Sequence, residues 1–273
     1  MDLHTVSTIA RARHRGDLRA LAPDVAPLAG GSELFAYPRT HLTGLVDLLT
    51  LDWPALVADD DGLEIAATCT FAELARMPAE PDWSAHPIFY QCCTALSGSF
   101  KIWNVATVGG NLCTSLPAGP MITLACALDA ELLIWRRDGS DERLPAVDFV
   151  TGDAVNVLET GDVLRSLHVP AAALRSRTAY RKTALSPLGR SAAVLVGRLD
   201  ADGGFVLTVT AGTVRPVQLR YPALPPHLRL RGDIDDIGTW FTDAHGAADW
   251  RRAVSGVLGE QILAELAHEG GSP

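Results

Sequence analysis

No stretch of this sequence approaches the roughly 20 consecutive apolar residues that span a bilayer, although 48% of its 273 residues are hydrophobic. A globular, soluble chain is therefore the expectation. Basic residues are outnumbered, 23 Lys and Arg against 32 Asp and Glu, for a formal net charge of -9. That balance offers no cationic footprint to replace the counterions around nucleic-acid phosphates, and no nucleic-acid partner is expected. Cysteine is sparse and odd in number: Cys69, Cys92, Cys93, Cys113 and Cys126. Their spacing fits neither a zinc ribbon nor an iron–sulfur run, so reduced thiols without metal or cluster are expected. The adjacent Cys92 and Cys93 read as small apolar filling on a helix. Before Arg15 there is no apolar core or small-residue cleavage site of the secretory type, and a cytoplasmic location is expected.

Several reaction motifs are also missing. Neither G-x-G-x-x-G nor G-x-x-x-x-G-K-S/T occurs, which leaves a Rossmann fingerprint and a P-loop unsupported. H-E-x-x-H and G-x-S-x-G are absent, the histidines are scattered, and no side chain is assigned as catalytic. What the chain does contain is a pair of double-glycine turns, Ala29-Gly30-Gly31-Ser32-Glu33 and Thr107-Val108-Gly109-Gly110-Asn111, each after an apolar stretch. Glycine lets backbone approach a ligand closely and take positive φ, and successive free N–H groups form a concave anion nest. Two such turns suggest a clamp for a pyrophosphate.

The length suits two modest domains. Thr8, Ile9, Ala12 and Leu18 have loosely helical spacing, and a short strand around Ala26 to Leu28 aims the first glycine turn. Strands are predicted at 45–48 and 63–68, then a helix from Phe71 capped by Thr70 with Glu73 completing a capping box. A helix follows over 87–96, then a strand or extended loop over 104–108 feeding the second glycine turn. Pro120 to Ala127 can start a helix with proline in its first turn, and 130–135 reads as a strand. Arg175-Ser176-Arg177-Thr178 is a candidate junction between domains. Beyond it, 192–199 and 205–211 flank an Asp/Gly turn as a hairpin, 250–266 is a terminal helix, and the tail from His268 to Pro273 is expected to fray. Short alternating helices and strands indicate an α+β fold.

The surrounding residues carry a likeness. Leu28 to Leu34, followed by Ile102-Trp103-Asn104-Val105-Ala106-Thr107-Val108-Gly109-Gly110-Asn111-Leu112, resembles the FAD-binding medium subunit of molybdenum hydroxylases, a family that includes xanthine dehydrogenase, aldehyde oxidoreductases and aerobic carbon monoxide dehydrogenase. It continues through Leu128-Asp129-Ala130-Glu131 and Glu159 to Leu164 to Val169-Pro170, then through Tyr180-Arg181-Lys182 and Ala211 to Val217. The resemblance implies a two-part FAD-binding domain of the vanillyl-alcohol-oxidase/PCMH type over 1–172, divided near 55, and a small α+β C-terminal domain over 173–273. It further implies noncovalent FAD and two partner chains: a large one with the molybdenum cofactor and a small one with 2Fe–2S clusters.

On this resemblance, Ala29, Gly30, Gly31, Ser32 and Glu33 with Thr107, Val108, Gly109, Gly110 and Asn111 bind the FAD diphosphate, helped by the Ser32, Thr107 and Asn111 side chains. Tyr180 and Lys182 lie beside the isoalloxazine ring, where a cation stabilises the anionic reduced flavin. Three positions depart from the family. Pro120 stands where relatives carry an acidic acceptor for the ribityl chain, Trp103 where many have a basic residue, and Gly189-Arg190-Ser191 near where relatives place Asp. The resulting function is a flavoprotein oxidoreductase subunit that passes electrons from the partner's clusters to a terminal acceptor. A free-standing flavin oxidoreductase and a structural subunit that has lost FAD stay open beside it.

Overall fold

The computed structural model describes residues 3–268. Its first sheet is small and parallel, in the order β1 (Thr8–Arg11), β3 (Gly44–Asp47), β2 (Val25–Leu28). A 3-10 helical turn over Arg15–Ala20 follows β1. The helix expected around Thr8 and Ile9 is thus a strand: Thr8 and Ile9 are β-branched and pair with Gly44 and Leu45, and four paired residues override a loose helical spacing. Leu18, Leu21, Val46 and Leu48 form the core of this part.

The second sheet is antiparallel, in the order β4–β5–β10–β6–β7. Its strands are β4 (Leu56–Asp59), β5 (Gly62–Ala66), β6 (Glu131–Trp135) and β7 (Asp141–Pro145), joined after the short pair β8 (Val150–Gly152) and β9 (Val155–Asn156) by β10 (Val163–Pro170). Helices cover one face: α1 (Phe71–Ala75), α2 (Pro87–Thr94), the single turn α3 (Phe100–Trp103), α4 (Val108–Thr114) and α5 (Pro120–Ala127). The Thr70 cap is present as predicted: its hydroxyl accepts from Glu73 N at 3.1 Å while Glu73 Oε2 accepts from Thr70 N at 2.8 Å. Cys92 and Cys93 are fully buried on α2 within this core, and burial pushes the Cys93 thiol up to about 12.

After α6 (Ala146–Phe149) and α7 (Ala171–Arg175), the chain forms an antiparallel meander of β11 (Arg177–Thr183), β12 (Ala193–Leu199), β13 (Phe205–Thr210) and β14 (Val217–Tyr221). Arg177 and Thr178 belong to β11, so Ser176 alone separates α7 from the sheet. The helices α8 (His227–Asp235) and α9 (Ala248–His268) cover one face of this sheet, while α5 packs on β12 and β13 from the other. This explains why β13 is buried along its whole length, and why every residue of α5 is buried. Between these layers the Thr123 and Thr210 hydroxyls meet at 2.7 Å. Of the tail expected to fray, His268 closes α9, and residues 269–273 lie outside the described residues.

A charged cluster pins the meander to the end of α5. Arg198, 4% exposed, donates to Ala127 O at 2.9 Å, Asp129 Oδ2 at 2.6 Å and Asp200 Oδ1 at 2.7 Å. Gln218 donates to Cys126 O at 2.6 Å and Asp129 Oδ1 at 3.0 Å, and Arg220 also pairs with Asp129. Burial raises the Asp129 carboxyl, but the contacts from Arg220, Arg198 and Gln218 outweigh it and hold it below the usual carboxylate range. Breaking a buried ion pair by removing one partner costs roughly 3–5 kcal/mol. Arg198→Ala is expected to lower unfolding free energy by about that amount in denaturant titration. The Asp129 contribution is complete above its ordinary unfolded value of about 3.9 and is lost as pH falls below it through the depressed folded value. Stability of the wild-type chain should therefore drop below about pH 4, with a shallower drop in Asp129→Asn.

Candidate cofactor-binding site

Strand β2 delivers the first glycine loop. Gly31 takes φ +69, in the left-handed region, and its carbonyl accepts from Phe35 N at 2.9 Å, which curls the loop back on itself. Gly30 is needed for a different reason. A Cβ there would fall 1.5 Å from Val105 O, so the loop lies directly on the main chain that precedes α4. From Ala29 through Leu34 no main-chain N–H donates to an acceptor among the described residues. These are the main-chain donors that the sequence reading assigned to an anion nest, and they are left without an acceptor among the described residues.

The second motif is built differently. It is the first turn of a helix rather than a tight turn: Thr107 caps α4, its Oγ1 accepting from Gly110 N at 3.1 Å. Val108 N donates to Cys69 O at 2.8 Å, Gly109 N to Ala67 O at 2.9 Å and Asn111 N to Thr107 O at 3.0 Å. Of the main-chain donors expected from this motif, those of Val108, Gly109, Gly110 and Asn111 are therefore already engaged within the protein. Gly109 is a packing glycine, since a Cβ would lie 2.4 Å from that of Ala67. At Gly110 a Cβ would meet only Thr107 Oγ1, at 2.8 Å. Asn111 Oδ1 accepts from Met121 N at 3.0 Å and so caps α5, leaving its amide NH₂ as the available donor.

Both motifs line one cleft of about 820 Å³, within the roughly 300–1,000 Å³ range of small-molecule sites. Ala29, Gly30, Gly31, Ser32 and Glu33 border it from the first motif, and Thr107, Gly109, Gly110 and Asn111 from the second. Val108 does not: it is 1% exposed and belongs to the core. Tyr180 and Lys182 also lie outside the cleft lining, on β11. Tyr180 packs on the large core with its hydroxyl buried and unpaired, and burial followed by the Cys92 charge pushes the phenol up. Burial alone lowers the Lys182 ammonium. Trp103 packs on the core with its ring edge toward Tyr90, at 6.3 Å between centroids. Pro120, by contrast, does border the cleft.

The cleft has two cations, Arg39, which sequence reasoning missed, and Arg190, which it noted only within a departure from the family. Arg39 Nη2 lies 3.5 Å from Glu33 Oε1, while Arg190 pairs with no acid among the described residues and has the Arg251 charge nearby. Asp162 also borders the cleft, its carboxylate taken up by Arg136, Arg137 N at 3.0 Å and Glu159 N at 2.9 Å. Burial raises this carboxyl, and those bonds more than reverse it. Asp162 was visible only as part of the family likeness, and neither arginine falls in a recognisable pattern.

Residues 4–172 match the family described as the FAD binding domain in molybdopterin dehydrogenase. The chain belongs to that family. Xanthine dehydrogenase 1 of Arabidopsis thaliana is 28% identical over 166 residues, covering 56% of this chain and 12% of that protein. The xanthine dehydrogenase FAD-binding subunit of Escherichia coli O157:H7 is 28% identical over 174 residues, covering 61% of this chain and 56% of that subunit. The match thus spans little more than half of the bacterial relative and a small part of the plant one. Among solved structures, reconstituted CO dehydrogenase from Oligotropha carboxidovorans superposes with a TM-score of 0.84 at 21% identity, over 97% of this chain and 98% of that one. Quinoline 2-oxidoreductase from Pseudomonas putida 86 gives 0.81 at 20%, over 98% and 99%. At such identities what is shared is the α+β fold.

The residues of this FAD-binding domain's cleft fit the cofactor, because Ala29 to Leu34, whose N–H groups are unengaged, border a volume of the right size together with a guanidinium. The glycines divide by role. Gly30→Val should destabilise the chain and separate the two motifs, because the side chain meets Val105 main chain that cannot swing aside. Gly110→Val should stay folded and lose FAD affinity, since its neighbour is one hydroxyl and the cleft. Thermal midpoints with FAD titrations check both; equal midpoints for the two variants would contradict this division.

Proposed function

We propose that this chain is the FAD-binding electron-transfer subunit of a molybdenum hydroxylase complex. In that complex a small partner carries 2Fe–2S clusters and a large partner carries the molybdenum cofactor, and this chain relays electrons from the clusters to a terminal acceptor. The observation that carries the reading is the convergence of a six-residue run of free N–H groups and the capped start of α4 on one cleft, within the segment that belongs to the FAD-binding family. Relatives named for xanthine, carbon monoxide and quinoline oxidation support the class without choosing a substrate.

When bound, FAD supplies the two-electron and one-electron redox chemistry that such a relay needs. The chain's residues hold and orient it. Main-chain donors of Ala29 to Glu33 and the Ser32 hydroxyl face the diphosphate, and the Asn111 amide adds a donor. Thr107, Gly109 and Gly110 keep the second wall close. Val108 anchors α4 in the core, and Tyr180 and Lys182 act from β11 behind the cleft rather than within it. Leu96 and Ile102 give the cleft apolar surface that excludes water. Phe100 and Leu188, 74% and 90% exposed on segments flanking the cleft, are surfaces that a partner subunit would cover.

On the same reading, 1–172 is the FAD-binding domain, its first part ending near 55 between the parallel and antiparallel sheets, and 173–273 is the C-terminal domain. We place the complex in the cytoplasm; among the described residues no helix is long and apolar enough to cross a membrane.

No cysteine or histidine borders the cleft apart from Cys113, whose thiol is pushed up by burial to about 12 and is thus a poor tether. FAD should accordingly be noncovalent. Acid precipitation of the purified complex should release flavin into the supernatant at one per chain. Yellow protein in the pellet would contradict noncovalent binding, and a complete complex without flavin absorbance would contradict the function.

A further inference from the structure

Arg39 is a cation without a settled partner. It borders the cleft, its Nε is buried with no hydrogen-bond acceptor, and none of its guanidinium N–H groups hydrogen-bonds to a described residue. Its one ionic neighbour is Glu33, at 3.5 Å from Nη2, a separation beyond a good charge-assisted bond. A buried guanidinium N–H left unpaired costs free energy unless something in the site accepts from it. Beside it lies the run of free main-chain donors from Ala29 to Leu34. Those amides are neutral, and the Glu33 carboxylate at the same place would repel an incoming anion. The other acid of the cleft, Asp162, is already neutralised by Arg136.

Resting on the FAD reading above, we propose that Arg39 is a diphosphate ligand: its planar fork bonds phosphate oxygens of the bound cofactor, and the same guanidinium screens Glu33 from them. An arginine presents rigid paired donors that match phosphate geometry, which a run of amides alone does not. The loop then works as a unit, with main chain supplying shape and Arg39 supplying charge.

The test uses the full-length apo chain titrated with FAD and with riboflavin, which has the same ring system and no phosphate. Arg39→Gln should weaken FAD binding by about tenfold or more, as expected for losing a charge-assisted bond, and leave riboflavin unchanged. Arg39→Lys should recover part of the loss. Glu33→Gln should tighten FAD, because it removes a repelling charge and frees the arginine, and this variant carries the test even if Arg39→Gln does not fold. Unchanged FAD affinity in Arg39→Gln, equal losses for FAD and riboflavin, or weakening in Glu33→Gln would each overturn the proposal and leave Arg39 a loop-bracing residue. A wild-type chain that binds no FAD overturns the underlying reading as well, whereas wild-type binding with an indifferent Arg39 overturns this inference only.

Discussion

The contact on which the site depends is the seating of Gly30 on the carbonyl of Val105. A hypothetical Cβ at 1.5 Å from that oxygen leaves room for no other residue. This contact sets the first loop against the segment that ends in the Thr107 cap, so the start of α4 and the free donors of Ala29 to Leu34 share one cleft. A second close approach, Gly109 on Ala67, fixes α4 to the end of β5 in the same way. These backbone contacts add to the side chains that join the small parallel sheet to the large antiparallel one, where Val163 and Trp135 pack with Leu18 and Val46.

The C-terminal meander closes the arrangement from another side. Its sheet is covered by α9 on one face and by α5 on the other, and α5 begins at Pro120 on the cleft wall. Arg198, Gln218 and Arg220 tie two of its strands to Asp129 and to the last carbonyls of α5. Through Arg190 the segment between β11 and β12 reaches the cleft itself. The cleft is thus bordered by residues from both halves of the chain.

Much of this was legible in the sequence because the signals were local. The Thr70–Glu73 capping box, Pro120 at the first turn of α5, the 193–210 hairpin and the terminal helix each follow from residues within a few positions of one another. The first glycine loop was legible for the same reason. What was not legible depends on distant partners. Strand β1 exists because β3 is beside it. The N–H groups of Val108 and Gly109 are engaged by carbonyls forty residues earlier in the chain, near Ala67 and Cys69, so a motif that reads as a nest is a helix start with its donors occupied. Tyr180 and Lys182 lie on a strand placed by its pairing with β12 and by the packing of α9 and α2. Arg39 stands in irregular chain with no periodicity to mark it.

On the proposed function the two glycine motifs have different jobs: the first donates to the cofactor and the second positions it. Amide-resolved hydrogen exchange of the full-length chain, with and without FAD, tests this most directly, because exchange reads the hydrogen-bonding state of each N–H. Fast exchange is expected at Ala29 to Glu33 in the apo chain, with strong protection there when FAD is bound. Val108 to Asn111 should be protected in both states. Protection that appears on binding at Val108 to Asn111, with Ala29 to Glu33 unchanged, would contradict it.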